Sequence, residues 1–402
     1  MNSPISVGDP EEPSPGGRPP PPGADPGSDS PGLAPVGPAE SAGRYLRARW
    51  EGFFSRTPAR RRLGRSLLRY GPICGVALLV VALRLPVLLS HPYPPGSDIA
   101  EETFWTHLWL GRTFAGAPSA LSVPPLYLFA VLAPLLAVLP VFTAGIATDL
   151  VVSALVVFPA YLLFRRVPLR PGFALLGSFL FGSSAAFSSM ITWNGGYNLF
   201  GIAMLTFFLA FLLEALETGS RGPALFAGIS FGLVAASNFL SLFIGVVLLG
   251  VLVPLLLASE ARWRLLRSWA KVVGFSLLAA LPSVPVYYVL TRGLSNTTSS
   301  PWELTGSQIA LLTLSTPWGG LTNGVALTIA GIGTALGVLG IAALALRAPT
   351  RRTAAVLFAL AVASYVAALA DPGNFSRGYF YLPAVFLPAA LFLFQAIHDG
   401  IP

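Results

Sequence analysis

The sequence predicts an all-α fold, a polytopic membrane helix bundle of about ten transmembrane helices with juxtamembrane helices in the first external loop. Composition is the first observation: 54% of the 402 residues are hydrophobic and 10% are charged, whereas a soluble domain holds roughly 25% charged residues. The mean hydropathy of +0.70 is the second. The third is the recurrence of apolar stretches of about 18 or more residues, each long enough to cross a bilayer as a helix.

Three regions follow one another along the chain. Residues 1–43, rich in Pro and Gly, hold too little apolar surface to offset the entropy of ordering, so we expect a disordered cytoplasmic tail. Residues 44–70 contain nine arginines. Such a basic segment with interspersed aromatics is compatible with RNA binding, but its place beside a transmembrane helix favours an anchor on anionic lipid, without a nucleic-acid partner. Residues 71–402 form the predicted membrane domain, whose first span we expect to be an uncleaved signal anchor.

Eleven apolar segments are candidate spans, and the basic loops between them decide how many cross. The segments are 72–90, 121–142, 145–164, 172–190, 198–217, 223–240, 241–258, 271–290, 324–346, 353–370 and 378–397. If all eleven crossed, Arg221 and the loops 165–170, 259–271 and 347–352 would lie outside, with eleven cations among them. Cytoplasmic loops collect Arg and Lys, so the charge bias requires that one candidate does not cross.

The segment 121–142 is the candidate that we expect not to cross. It contains four prolines, and proline removes a backbone donor and disrupts helix interiors. We therefore predict ten crossings in an integral, multi-pass protein of the cell membrane with both termini in the cytoplasm. The first external loop then runs over about residues 91–144 and contains a juxtamembrane or re-entrant helix, and the active face is external.

The stretch "HPYPPGSDIAEETFWTHLW", residues 91–109, places charge directly after the first span. Asp98, Glu101 and Glu102 share one face of a helix that we expect to start near residue 99. Three carboxylates at this spacing suit joint coordination of a cation or a role as base, and His107 lies close enough in sequence to assist. The alternative is a helix cap with carboxylates that favour the helix dipole, and the spacing alone leaves both open.

Several motifs recur in a fixed order along the first half of the chain. A first span ending in "RLPVLL" is followed by "PPGSDIAEETFWTHLWLGRTFAG", "PPLYLFAVL", "TDLVVSALVVFPAYLLFRR" and "ALLGSFLFGSSAAF". This order resembles the GT-C superfamily of integral membrane glycosyltransferases, which includes protein mannosyltransferases, aminoarabinose transferases and the catalytic subunit of oligosaccharyltransferase. The resemblance covers residues 72–217 and returns in "SRGYFYLPAVFLPAALFLF", residues 376–394.

The resemblance implies transfer of a sugar from a polyprenyl-phosphate-linked donor to a glycan or protein acceptor, in contact with membrane lipid. It implies that Asp98 is the general base or a ligand of a divalent metal ion. Beside it, Glu101 and Glu102 are candidates for sharing the catalytic work and His107 for substrate binding, the alternative being that all three are simply solvated. Such a transfer needs a group that takes a proton from the acceptor and a cation that neutralises the departing lipid phosphate.

Two arginines are candidates for that second role. Arg84 resembles an arginine near the outer end of the first helix in relatives. An arginine within a span is costly, so we favour pairing with a loop carboxylate or a lipid phosphate over snorkelling to the interface. Arg377 lies at the outer start of the last span, where a guanidinium can bind a phosphate with two parallel hydrogen bonds.

The chain departs from the family pattern in its next external loop, "ITWNGGYNLFG", residues 191–201. Several members carry a second acid there, whereas this loop offers Asn194 and Asn198 and no carboxylate. An asparagine can bind a metal through its carbonyl oxygen or hydrogen-bond a sugar, but it cannot act as a base. Asp149 is the candidate for the missing charge. Its alternative role is that of an acid favoured by a helix N-terminus. Trp193 and Tyr197 are candidates for stacking on a sugar, the alternative being a membrane-interface belt.

Two other functional classes stay open beside glycosyl transfer. A carrier or transporter of lipid-linked sugars would also place charge within its helices. Such a protein is expected to show internal repeats, and we find no convincing one. A non-catalytic membrane relative of GT-C enzymes would account for the missing second acid.

Overall fold

The computed structural model describes residues 58–89, 128–184, 187, 196–284, 324–370 and 380–400. The chain divides into two compact units, residues 1–67 and 68–402, and the site described further on lies within the second unit. The described residues form helices and contain no strand, so the predicted all-α fold is confirmed.

Twelve α-helices follow one another along the described residues. They are α1 (Pro58–Leu89), α2 (Ala133–Leu136), α3 (Val141–Leu155), α4 (Val157–Arg166), α5 (Pro171–Gly182), α6 (Gly196–Thr218), α7 (Arg221–Ser237), α8 (Phe239–Leu257), α9 (Arg262–Ala280), α10 (Gly324–Leu346), α11 (Arg351–Ala370) and α12 (Pro383–His398). A π-helical turn, Leu128–Leu132, precedes α2, and 3-10 turns at Leu281–Ser283 and Ala348–Thr350 follow α9 and α10.

Several of these helices have the length and composition of membrane spans. Within the described residues, four spans qualify. The first combines α3 with α4, the second is α6, the third is α8, and the fourth combines α9 with the 3-10 turn that follows it. α10 and α11 qualify as a pair, which is bent by 111° at the break between them. α5, α12 and the apolar part of α1 are shorter. A membrane-type helix bundle is thus confirmed, while the count of ten crossings and the sides of the termini stay predictions.

α6 is the central helix of the bundle. In its most apolar 18-residue window 83% of the residues are buried, against 22% for the span that begins with α9. A helix that is apolar all round belongs in the interior, and α6 packs against α3, α4, α7 and α8. α9, in contrast, exposes Leu277 and Leu278, which suits contact with lipid tails. Most side chains at the start of α6 are therefore buried among other helices of the bundle.

Two helices begin earlier than the apolar pattern predicts. α1 begins at Pro58, so part of the basic juxtamembrane segment continues directly into the first span. The predicted span 271–290 is wrong by about nine residues, because α9 already begins at Arg262 within the predicted loop 259–271. Arginine is a good helix former, and its long side chain reaches the aqueous interface while a neighbour such as Leu265 stays buried.

α5 ends earlier than predicted. The apolar run indicated a span over 172–190, but the helix stops at Gly182. Two serines follow and hydrogen-bond to nearby backbone: Ser183 Oγ donates to the carbonyl of Phe179, and Ser184 Oγ accepts from the amide of Phe187. Local side-chain bonds of this kind compete with the helical pattern.

The Pro-rich candidate 121–142 is described from residue 128 onward. There it forms the π-helical turn and α2, nine helical residues in all, before the chain turns and Pro140 adopts an extended conformation. Nine residues rise about 13 Å, less than half of the roughly 30 Å hydrocarbon core. The described part is thus too short to cross by itself, and whether the whole segment crosses stays a prediction, because residues 121–127 lie outside the described residues.

Candidate functional site at one end of the bundle

Ion pairs join the helix termini at one end of the bundle, which we call the basic end. Arg166 at the end of α4 pairs with Glu214 near the end of α6, and an Arg170 guanidinium nitrogen lies 2.9 Å from an Asp399 carboxylate oxygen. The Lys271 ammonium donates to the carbonyl of Gly219 at 2.9 Å. The basic end comprises residues 165–170, 214–221, 258–271, 347–352 and 395–400.

The opposite end, which we call the site end, holds the ends of α1 and α5 and the starts of α3, α6, α8 and α12. Asp149 precedes Arg166 by 17 residues, and Asn198 precedes Glu214 by 16. At about 1.5 Å per helical residue, both side chains lie about 25 Å from the ion pair that joins Arg166 to Glu214. They therefore occupy the same level of the bundle.

Arg84, near the end of α1, is buried at the site end with 5% of its surface exposed. Its Nη1 donates to Ser153 Oγ and its Nη2 to the carbonyl of Gly182, each at 2.5 Å. Gly182 is the last residue of α5, so its carbonyl lacks a partner within the helix and favours a cation. A Cβ on Gly182 would come within 2.8 Å of the Val157 side chain, so glycine permits this close approach.

Asp149 in α3 completes a charged cluster with Arg84. The hydroxyl of Ser153 accepts from Arg84 and donates to the Asp149 carbonyl at 2.6 Å, and the two charged groups interact electrostatically. The Asp149 side chain is 1% exposed, yet neither carboxylate oxygen has a hydrogen-bond partner within the described part of the chain. Arg84 Nε is likewise without a partner there.

The position of Asp149 in its helix corrects the sequence-based estimate. The candidate span 145–164 places Asp149 about one turn inside its outer end, but α3 begins at Val141, so Asp149 lies more than two turns inside. The start was missed because Pro140 precedes the helix, where proline is tolerated. Since a helix dipole acts within the first turn, a helix terminus does not account for this buried acid.

Burying these two charges costs free energy, because each ion loses its hydration shell. Their mutual attraction offsets part of that cost, and Ser153 and the Gly182 carbonyl satisfy two guanidinium nitrogens. Two carboxylate oxygens remain as acceptors. The arrangement can therefore bind a donor or a cation at Asp149 without disturbing the bonds that hold Arg84.

A second, neutral network lies at the same level and joins α6, α8 and the start of α12. Asn238 precedes α8, and its side-chain oxygen accepts from the Ser241 amide at 3.1 Å as an N-cap. Its Nδ2 donates to Asn198 Oδ1 at 2.9 Å. The Ser241 hydroxyl lies 2.5 Å from the hydroxyl of Tyr381. All four side chains are buried.

Close helix packing makes this neutral network possible. A Cβ on Gly201 of α6 would lie 2.8 Å from the Cβ of Asn238 and would collide with Ser241 Oγ, so α6 and α8 meet at a glycine. Small residues allow membrane helices to approach closely in this way. Tyr197, a candidate for stacking on a sugar or for an interface belt, lies half-buried next to Asn198 and interacts electrostatically with Tyr381.

Seven of the ten predicted site residues lie outside the described residues. They are Asp98, Glu101, Glu102, His107, Trp193, Asn194 and Arg377. Their roles stay predictions. The other three are placed at the site end: Arg84 and Asp149 in the charged cluster, and Tyr197 beside the neutral network.

The structure adds four residues that the sequence analysis did not select. Ser153 follows Asp149 by four residues, a spacing that puts both on one helix face, so its link to the acid was open to prediction. Asn238 between two apolar runs is a typical N-cap signal. Ser241 and Tyr381 carry no sequence signal, because their contact spans 140 residues.

Among the described residues, one group suits the predicted divalent metal ion, and it is the carboxylate of Asp149. No cluster of three or more His, Cys, Asp or Glu side chains exists in this part of the chain. The carboxylate of Asp149, buried with both oxygens unpartnered there, offers the hard oxygen ligands that divalent cations prefer.

Among solved structures, two of the archaeal oligosaccharyltransferase of Archaeoglobus fulgidus are similar to this chain. The first, with a tethered acceptor peptide containing the NVT sequon, matches with a TM-score of 0.55 at 15% identity and covers 83% of this chain. The second, AglB in complex with an inhibitory peptide and a dolichol-phosphate, matches with a TM-score of 0.54 at 13% identity, again over 83% of this chain. This chain spans about half the length of those proteins. No family model matches the sequence, and no curated protein does.

These comparisons show the fold. The chain shares the helical architecture of the archaeal oligosaccharyltransferase, and the resemblance that the motif order indicated is confirmed as a likeness of fold.

Proposed function

We propose that this protein is a membrane glycosyltransferase that moves a sugar from a polyprenyl-phosphate-linked donor to an acceptor at the site end. One observation carries the proposal: within a GT-C-type fold, the site end holds a buried acid, Asp149, whose carboxylate oxygens have no partner in the described residues. A buried unpaired acceptor is costly to stability. Sites that tolerate such a cost are commonly sites of function.

The proposed reaction breaks the bond between the anomeric carbon of the sugar and the phosphate oxygen of the donor. A new bond forms between that carbon and an oxygen or nitrogen of the acceptor, whose proton passes to a base. Asp98 is the proposed base, because it follows the first span by nine residues and matches the acid of the family motif. The departing lipid phosphate keeps the bonding electron pair and requires a cation for stabilisation.

Asp149 supplies the second acid that the loop 191–201 lacks. Arg84 acts on it as a positioning residue, since it balances the buried charge and is linked through Ser153 to the backbone of Asp149. Asp98 and Asp149 are the acids that would hold a divalent cation. When bound, such a cation would stabilise negative charge on the departing phosphate.

The partners of the similar structures support the two substrates in general terms. One is described with dolichol-phosphate and the other with an acceptor peptide. For this chain we propose substrates of the same two classes, a lipid-linked sugar donor and a glycan or protein acceptor. The external location of the site rests on the charge bias of the loops, because the basic end gathers Arg and Lys.

The experiment compares two carboxylate-to-amide changes in full-length protein in membranes. The assay follows transfer of labelled sugar from a polyprenyl-phosphate-linked pool. Asp149→Asn should lower transfer by about 100-fold, whereas Glu214→Gln at the basic end should leave it unchanged. A wild-type protein that binds the donor without transferring sugar would favour the carrier or the non-catalytic relative, and would refute the proposal.

A further inference from the structure

Asn198 is the starting point, because hydrogen bonds around it fix the orientation of its amide. The side-chain oxygen of Asn238 is committed to capping α8 through the Ser241 amide, so its Nδ2 is the atom that faces Asn198. Asn198 must then turn its own oxygen towards Asn238. Its Nδ2 points elsewhere, and neither amide can be flipped without placing two donors against each other.

The Nδ2 group of Asn198 is consequently a buried donor without an acceptor among the described residues, although the residue is 3% exposed. Its neighbours do not share this defect. Asn238 and Ser241 are hydrogen-bonded, and Tyr381 bonds to the hydroxyl of Ser241. A single unpaired donor in an otherwise satisfied buried network indicates that an acceptor comes from outside the network.

The chemistry of the network selects the kind of acceptor. Asn198, Asn238, Ser241, Tyr381 and the nearby Tyr197 are all uncharged, whereas phosphate recognition relies on charge-assisted bonds from Arg or Lys. Neutral amides and hydroxyls suit the hydroxyl or amide oxygens of a sugar. An aromatic ring beside them suits the apolar face of a sugar ring. The charged groups for a phosphate lie in the separate Arg84–Asp149 cluster at the same level.

We propose that Asn198 recognises the sugar of the lipid-linked donor, with its Nδ2 donating to a hydroxyl or carbonyl oxygen of that sugar and Tyr197 alongside it. The network of Asn238, Ser241 and Tyr381 holds the amide in the donating orientation. This inference rests on the proposed function and assigns it a sugar-specific contact, distinct from the acids that perform the transfer.

Asn198→Asp is the sharpest variant, because it keeps the oxygen that accepts from Asn238 and replaces the free donor by an acceptor. Purified full-length protein is titrated with two probes, a polyprenyl-phosphate-linked sugar from a panel of hexoses, pentoses and N-acetylhexosamines, and the same polyprenyl phosphate without sugar. We expect the variant to bind the preferred sugar-linked lipid about tenfold or more weakly and the bare lipid phosphate as wild type does. Ser237→Ala is the matched control, since its hydroxyl bonds to a carbonyl of its own helix, Leu233, and both affinities should stay unchanged.

Three results would overturn the inference. Equal weakening for both probes would mean that the buried carboxylate disturbs the site as a whole. Unchanged affinity for the sugar-linked lipid would mean that Asn198 does not touch the sugar. Normal sugar transfer by Asn198→Asp, with the wild type active, would refute this contact and leave the proposed function intact, whereas a wild type that transfers no sugar refutes the proposed function itself.

Discussion

The basic end and the site end of the bundle differ in the burial and pairing of their polar groups. At the basic end, Arg166, Arg170 and Lys271 each find a partner on another part of the chain, and they lie near solvent. At the site end the polar groups are buried. Five buried side-chain atoms in the described residues lack a hydrogen-bond partner, and four of them belong to Arg84, Asp149 and Asn198.

The polar groups of the two ends therefore contribute differently to the stability of the fold. Exposed ion pairs contribute about 1 kcal/mol or less each, and two of them join helix termini at the basic end. Buried unpaired charges oppose folding. A bundle optimised for stability would have an apolar site end, and the proposed function gives the retained charge a role in sugar transfer.

The first prediction concerns which side of the membrane each end faces. The loop cations predict that the basic end is cytoplasmic, so a cysteine placed at exposed Glu260 should resist a membrane-impermeant maleimide added from outside. A cysteine at Thr297 should react, because it lies between the candidate spans 271–290 and 324–346, where the ten predicted crossings place the chain outside. The background is Cys74→Ala, since Cys74 is the sole cysteine of the chain. External labelling at residue 260 with protection at residue 297 would place the site on the cytoplasmic face.

The second prediction compares one arginine from each end. Arg84→Gln leaves the Asp149 charge buried without its counter-charge, which should destabilise the protein by about 3–5 kcal/mol. Arg166→Gln breaks a pair whose side chains are 35% and 24% exposed, and should cost about 1 kcal/mol or less. Thermal unfolding in detergent measures both. Equal losses would remove the energetic distinction between the two ends.

The third prediction tests the acid of the first external loop. Asp98→Asn keeps the size of the side chain and most of its capping ability, but it removes the charge and the capacity to take a proton. Sugar transfer should fall by about 100-fold or more, the usual scale for loss of a general base. Glu101→Gln and Glu102→Gln identify which neighbour shares the work, and sensitivity to chelators would indicate a metal ion. Normal transfer by a well-expressed Asp98→Asn protein would make this acid a helix cap.

The fourth prediction concerns the lipid phosphate. Arg377→Lys keeps the charge but loses the bidentate geometry of the guanidinium, so binding of the lipid donor should weaken by up to about tenfold with folding unchanged. Unaltered donor affinity, measured by titration with polyprenyl phosphate, would take Arg377 out of the site and leave Arg84 as the remaining candidate.

Much of the fold was predictable because hydropathy reports burial in lipid directly. The segment 324–346 matches α10 at both ends, and 198–217 falls within α6. The failures have a common origin, since hydropathy does not detect a helix that begins in a basic stretch, as α9 does, or one that ends where serines bond to backbone, as α5 does.

The site was predictable as separate residues and not as an arrangement. Arg84 and Asp149 stood out because charge within a span is costly. Their link through Ser153 joins positions 69 residues apart in the chain, and Ser241 meets Tyr381 across 140. Contacts at such separations depend on how the helices pack, which no local pattern of residues encodes.

The central claim is that the Arg84–Asp149 cluster exists for substrate and not for folding, and a double-mutant cycle tests it most directly. Neutralising both residues, in Arg84→Gln/Asp149→Asn, removes the lone buried charge that each single change leaves, so most of the lost stability should return. If the acid serves sugar transfer, the double variant should stay about 100-fold less active than wild type despite its recovered stability. A double variant that regains both stability and wild-type transfer would show that the two charges serve the fold alone, and would contradict the account.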